Sequence, residues 1–482
     1  MRILENIEPK AVFAFFEDLC NIPHGSGNTK AVSDYCVDFA QKRNLEYQQD
    51  AHNNVIIIKP ATSGYEEAAP LILQGHLDMV CEKAPGCSKD MTKEGLDLVA
   101  EGDLVYAKGT TLGGDDGIAV AMALAALDDE SLVHPRLEAV FTIDEEVGML
   151  GATALDMSIL KGRNLLNIDS ELEGVFTVSC AGGNRTTCKL PVEREPYKGT
   201  CLKLVLDGLI GGHSGTEINK GRANANQLLG RLLDALSTST DFRLLTVEGG
   251  LKDNAIANAA MAHVIVSDEQ TLRSAAQAML KTLQHEYGTA DPHIQLTITA
   301  VEPTLLPMNA SSTSKVICFL LCAPYGVQAM SMDIPDLVQT SLNLGILTTT
   351  EELVTASYSV RSSIASQKQM LSDRLRRLAD YLGGTTTVRA DYPGWEYKKH
   401  SALRDTMTAI YVEQYGKEPK IEAIHAGLEC GIFIGKLPDL DCVSIGPELR
   451  EIHTYRENLS IASVQRVWKF VAEVIRRSAL QK

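Results

Sequence analysis

Apolar and polar positions follow two rhythms along the first 180 residues. Short apolar runs of strand length fall at 55–58, 71–74, 137–143 and 164–168, and stretches with helical recurrence fall at 11–20, 29–43 and the Ala-rich 117–127. That alternation predicts an α/β domain with a mostly parallel sheet covered by helices. Beyond Cys180-Ala181-Gly182-Gly183 the texture changes. Strands at 203–209 and 354–360 each lead to a helix, 222–236 and 367–382, with a further helix at 269–287 and alternating strands such as 294–300 between them. This block predicts an inserted α+β domain of two similarly laid-out halves. The turn Tyr392-Pro393-Gly394-Trp395 marks a return to the first domain. After it come a helix at 402–415, a Gly-rich turn at 427–431, a strand at 442–445 and a final helix from 463. The expected boundaries are 1–184 and 393–482 for the first domain, with 185–392 inserted.

Composition narrows the function. The 482 residues carry 62 acidic against 45 basic side chains, a formal charge of −17, with no basic run, which argues against nucleic acid and against an anionic membrane surface as partners. No apolar stretch approaches the ~18 to 20 residues that cross a bilayer. The start holds acids at Glu5 and Glu8 and no apolar leader, so a cytoplasmic protein is expected. Eleven cysteines without a CxxC pair read as reduced thiols, with Cys318 and Cys322 one helical turn apart.

Chemistry gathers where apolar runs end. The run at 71–74 leads into Gly75-His76-Leu77-Asp78, that at 139–143 into Asp144-Glu145-Glu146, and that at 165–168 into Asp169. The strand at 442–445 leads toward His453, and the turn Gly113-Gly114-Asp115-Asp116-Gly117 opens the Ala-rich helix. In open α/β sheets ligands bind beyond the carboxyl ends of the strands, so these residues are expected to converge there. His, Asp and Glu without cysteine suit zinc, manganese or cobalt. The set exceeds what one tetrahedral ion needs, and a carboxylate bridging two ions ~3.5 to 4 Å apart, as in hydrolytic centres, uses the surplus. His76 and Asp78, two apart in extended chain, share a face, so Asp78 can orient the imidazole. Glu145 and Glu146 are expected to divide the labour, one binding metal and one moving protons.

These elements, in this order and spacing, resemble the dinuclear zinc peptidase family that includes carboxypeptidase G, aminoacylase and carnosinase. Within it, Gln74-Gly75-His76-Leu77-Asp78-Met79-Val80, His425-Ala426-Gly427-Leu428-Glu429-Cys430-Gly431 and Pro393-Gly394-Trp395 are most similar to the bacterial aminoacyl-histidine dipeptidase branch. The resemblance implies two zinc ions per chain, with cobalt or manganese able to substitute. It makes His76 and Asp169 ligands of one ion, Glu146 and His453 ligands of the other, and Asp115 the bridge, followed by a cis peptide. It makes Glu145 the general base and Asp78 the residue that steers His76. It likens Gly211-Gly212-His213-Ser214-Gly215 to the family's lid, with His213 donating to the oxyanion. Arg361 then holds the substrate's carboxylate, and Gly427 lets substrate approach the backbone. The implied activity is hydrolysis of Xaa-His dipeptides, small substrates, by a homodimer that binds through its lids.

Each residue also has an ordinary reading. Asp116 suits the first turn of a helix, the pair Glu145-Glu146 a solvated turn, His213 a Gly-rich loop, and Arg361 a surface salt bridge. His24, His52, His134, His263, His285, His293 and His400 are taken as structural, and His425 is left unassigned. Two competing functions stand beside the first: the same centre acting on other dipeptides or N-acyl amino acids, and a catalytically silent metal-binding protein.

Overall fold

The computed structural model describes residues 2–480. The chain forms two compact units. One holds the residues up to Ser179, Tyr397–Ala423 and those from Leu428 onward; the other holds Cys180–Glu396 and Ile424–Gly427. The divisions fall a few residues from the expected 184/185 and 392/393. Cys180 and Trp395 exchange both backbone hydrogen bonds (3.1 and 3.0 Å), and the Ala181 N–H reaches the Ile424 and Ala426 carbonyls, which keeps all these segments in the second unit.

The first unit is built on eight strands in the order Glu46–Gln49, Val55–Lys59, Leu137–Thr142, Leu71–His76, Asn164–Asn167, Asp441–Ser444, Val175–Cys180, Lys420–Ile424. Leu71–His76 runs parallel to both its neighbours, and Asn164–Asn167 runs parallel to Asp441–Ser444. The outer pairs are antiparallel. The expectation of a mostly parallel sheet is therefore corrected: the sheet is mixed, with a parallel centre. Short connections account for the edge, because Glu46–Gln49 and Val55–Lys59 are joined by a tight turn and only antiparallel strands can be joined so. The central strands are buried on both faces, as their unbroken apolar runs require. The helix Gly114–Asp128 is apolar all round and packs between the sheet and the helix Lys10–Cys20. A small sheet absent from the sequence reading has the order Leu449–Arg450, Asn458–Ser460, Leu104–Ala107, Leu98–Glu101. It holds the loop carrying His453 against the segment that leads to Gly113.

The second unit is an antiparallel sheet in two matching halves. Gln295–Ala300, Thr200–Asp207, Ala260–Val266 and Phe242–Gly249 form one; Val338–Thr349, Leu353–Ser362, Gly182–Pro191 and Thr385–Tyr392 form the other. They join at a single registered pair, Gly249 with Leu347. The helices Ala225–Ser237, Glu269–Tyr287, Ala310–Cys322 and Ala365–Tyr381 close a shared apolar core over it. The first of these begins at Ala225 rather than near 222, because Asn224 is its cap: the side chain accepts from the Asn226 and Gln227 N–H groups.

Candidate metal centre

His76 is the last residue of the central strand Leu71–His76, and its position follows from close packing around Gly75. A Cβ at Gly75 would lie 2.6 Å from Asp116 Oδ2 and 2.8 Å from Ala119 Cβ, so only glycine lets the start of the Gly114–Asp128 helix press on the strand. The His76 ring is fixed from behind. Nδ1 donates to the backbone carbonyl of Asp78 (2.9 Å), which leaves the Nε2 lone pair facing outward.

Nε2 faces Asp115 Oδ1 at 3.1 Å and Asp169 Oδ1 at 3.7 Å. The other oxygen of Asp115 lies 3.1 Å from His453 Nε2, and His453 Nε2 is 2.9 Å from Glu146 Oε1. One carboxylate thus presents its two oxygens to two imidazoles, each accompanied by a second carboxylate. Asp169 follows the strand Asn164–Asn167, Glu145 and Glu146 follow Leu137–Thr142, and His453 sits at a positive φ of 58°. Asp115 stands at the distorted entry to its helix, and the Asp115–Asp116 peptide is cis.

Asp78 lies beside the His76 ring and makes further contacts. Its carboxylate is 3.5 Å from His76 Nδ1, which also donates to the Asp78 backbone carbonyl. The carboxylate accepts from Ser26 Oγ (2.8 Å) and from the Glu145 N–H (3.0 Å), and so holds the turn that carries the two glutamates. Asp116 is not an exposed first-turn residue. It is buried, lies outside helical φ/ψ, and accepts the His76 N–H at 3.2 Å.

The donor set fits a pair of divalent cations. Lone pairs of two imidazoles and the acceptor oxygens of Asp115, Asp169, Glu145 and Glu146 converge, and Asp116 is close enough to join His76 and Asp169. Without a cation between them such groups trap protons. Burial works against charge on His76, but Asp115, Asp169 and Asp78 outweigh it and raise its pKa. The carboxylates of Asp115 and Glu146 push His453 up to about 10. Burial, opposed by His76 and reinforced by Asp169, Glu429 and Glu146, pushes Glu145 up to about 9. Burial likewise lifts Asp169 to about 6. Bound cations reverse this balance.

Three neighbouring acids were not singled out as site residues in the sequence, although Glu429 lies within one of its motifs. Glu429 opens the helix Glu429–Lys436, where a Gly-rich turn was expected. It is buried and accepts from Gln74 Nε2 and Thr142 Oγ1, both at 2.7 Å. Glu171 and Glu457 are acids near Asp115, both raised chiefly by burial. A carboxylate whose partners are backbone amides or buried side chains leaves no periodic trace.

His213, Arg361 and Gly427 belong to the second unit. The His213 Nδ1 accepts from the Gly215 and Thr216 N–H groups (3.2 and 3.1 Å), which leaves Nε2 to carry the proton, and burial and Arg361 lower its pKa against the pull of Glu217. Arg361 is buried, with Nη1 3.4 Å from the Tyr392 hydroxyl, and stands opposite Ser341 in the register of its strands. His425 Nε2 is 2.7 Å from that Ser341 Oγ, and burial with Arg361 and His213 holds the ring neutral, its pKa lowered to about 3. His425 therefore belongs to the cluster that contains Arg361 and His213. Gly427 is half-buried two residues on.

Residues 72–477 match the model of the peptidase family M20/M25/M40. The chain is 36% identical over 480 residues to a cytosol non-specific dipeptidase of Escherichia coli, covering 99% of each. Among solved structures, it superposes on an aminoacylhistidine dipeptidase from Vibrio alginolyticus with a TM-score of 0.93 at 35% identity, covering 98% of each chain. A tripeptidase from Staphylococcus aureus shares the fold at 16% identity, with a TM-score of 0.56 over 98% of this chain and all of that one.

Proposed function

The chain belongs to peptidase family M20/M25/M40, and from that premise we propose that it is a two-metal dipeptidase whose preferred substrates are Xaa-His dipeptides. The observation that carries the reading is Asp115, with one oxygen toward His76 and the other toward His453. His76 and Asp169 would hold one ion and Glu146 and His453 the other, with Asp115 placed to serve both. Zinc is the ion we assign, with cobalt or manganese able to substitute; such a pair polarises a carbonyl and makes water nucleophilic near neutral pH.

Glu145 is the neighbouring carboxylate left over from that set. It takes the proton of the attacking water and returns it to the amine that leaves. Asp78, through the Glu145 N–H, fixes where that base stands. The His213 ring, with its proton on Nε2, supplies a donor for the oxyanion. Arg361 pairs with the dipeptide's terminal carboxylate as a planar fork, and Gly427 leaves room for substrate against the backbone. The unit spanning 180–396 acts as the lid and as the surface of a homodimer. Among the described residues no helix is long and apolar enough to cross a membrane; action in the cytoplasm is proposed from the Escherichia coli relative, which is named a cytosol dipeptidase.

A broader reading keeps the same centre and accepts other dipeptides or N-acyl amino acids. It is supported by the Escherichia coli relative, which is named non-specific. The deciding experiment is hydrolysis of a dipeptide panel by chelated protein re-supplied with zinc, manganese or cobalt. Metal-dependent cleavage favouring His at the second position supports the first reading, and indifference to that residue supports the second. Metal binding with no cleavage of dipeptides or N-acyl amino acids would leave a silent metal-binding protein.

A further inference from the structure

Glu457 lies four residues past His453 and has no part in the chemistry above. Its carboxylate is 3% exposed and accepts four successive backbone N–H groups. Oε2 takes those of Leu112 (2.8 Å) and Gly113 (3.0 Å), and Oε1 those of Gly114 (2.8 Å) and Asp115 (3.2 Å). Amides entering a helix lack partners within it and favour a negative charge. Here the chain supplies that anion itself.

The loop cannot satisfy these amides in another way. Gly113 has a φ of 68° and Asp115 a ψ of 102°, so neither continues the helix. The fit is tight as well: a Cβ on Gly114 would lie 2.6 Å from Leu449 Cδ2 and 3.2 Å from Glu457 Oε1. The strands Leu449–Arg450 and Asn458–Ser460 bracket His453, and the latter pairs with Leu104–Ala107 just before the 112–115 loop. Glu457 therefore fastens together two segments that are remote in the chain. One ends in Asp115 and the other carries His453.

We propose that Glu457 is a positioning residue: by holding the 112–115 backbone it aims the two oxygens of Asp115 at His76 and His453, and the metal affinity of the centre depends on it. The inference rests on the two-metal reading of that centre. Each oxygen takes two N–H groups, so a carboxylate is required. An amide would turn an NH₂ toward two donors, and a shorter carboxylate would keep the charge but lose reach.

The test compares full-length wild type, Glu457→Gln and Glu457→Asp. Zinc affinity is measured by competition with a chromophoric chelator, kcat and KM are measured on a cleaved dipeptide at saturating zinc, and far-UV spectra and melting curves are taken of the metal-free chains. The expected result is a metal-free Glu457→Gln chain that keeps the wild-type far-UV spectrum and a cooperative melt, shifted a few degrees down by its two unsatisfied amides, but binds zinc about 10- to 100-fold more weakly. Its kcat falls while KM holds, and Glu457→Asp recovers part of the affinity. Wild-type affinity and kcat in Glu457→Gln would overturn the role, and so would loss of the folded spectrum in both metal-free variants, which would make Glu457 a folding residue only. A wild-type chain that binds no divalent ion overturns the two-metal reading itself and this role with it.

Discussion

Glu145 and Glu146 are adjacent in sequence and have different surroundings. Glu146 Oε1 sits 2.9 Å from His453, whereas Glu145 is half-buried near Asp169, Glu429 and Glu146, and desolvation with these acids raises its carboxyl to about 9. Replacing Glu145 with Gln should lower kcat by about 10²- to 10⁴-fold, the usual worth of a positioned acid-base group. Metal content per chain should not change. Steady-state rates read beside elemental analysis check this, and zinc lost together with activity would make Glu145 a ligand instead. His425 makes a different prediction. Its pKa is about 3 in the fold, where burial, the Arg361 guanidinium and the His213 ring exclude the proton, against an unfolded value near ~6.5. Between those values the unfolded chain binds a proton that the folded chain does not, so stability falls as pH falls through that window. The slope from this one residue approaches ~1.4 kcal/mol per pH unit. Urea titrations from pH 7 to pH 4 should show a shallower decline in His425→Gln, and identical declines would remove His425 as the cause. At this scale the cluster was legible because His76, Glu146 and Asp169 each follow or end an apolar run, and the fold brings them together. Asp78 was visible as a neighbour of His76 but not as the holder of the 145–146 turn, since that contact runs to a backbone amide 67 residues away.

The helices Glu269–Tyr287 and Ala402–Tyr415 emerge at their predicted bounds, each opened by a capping side chain, Asp268 and Ser401, that accepts a first-turn N–H. The strands Phe242–Gly249 and Val338–Thr349 were missed although each pairs with a strand close in the chain, Ala260–Val266 and Leu353–Ser362; a register shift inside each, at 244/246 and 344/346, interrupts the two-residue alternation. The mixed sheet edges escaped for a separate reason: apolar runs report burial, not strand direction. Packing between elements is close where the Gly114–Asp128 helix meets the strand that ends in His76. Gly75→Ala should cost at least the ~1–3 kcal/mol typical of overpacking. The added methyl meets Asp116 and Ala119, so zinc affinity should fall along with stability. Calorimetric melting paired with zinc titration tests this. A variant that melts lower yet binds zinc normally would show that the helix moves without disturbing the ligands.

For the whole molecule, the crowded acids of the first unit tie stability to metal. Ligand that binds only the folded state adds about 4 kcal/mol at a thousandfold excess over Kd. Chelation should therefore lower the melting temperature, and zinc should restore it. An unchanged melt after verified metal removal would deny the coupling. Assembly allows a further test, because His213 stands in the second unit and Glu145 in the first. If lids act across a homodimer, mixing inactive His213→Ala and Glu145→Ala chains should recover part of the activity. Mixed dimers without turnover would assign each site to one chain.

The strand Asp441–Ser444 sits inside the first unit's sheet, between Asn164–Asn167 and Val175–Cys180. During synthesis that slot stays open until nearly all of the chain has left the ribosome. The antiparallel unit, drawn almost wholly from 180–396, can close much earlier. Until Asp441 emerges, the buried edge of Asn164–Asn167 is unpaired and able to join a strand of another nascent chain. His453 arrives later still, so premature termination yields a protein that is both sticky and short of the imidazole that faces Asp115 and Glu146.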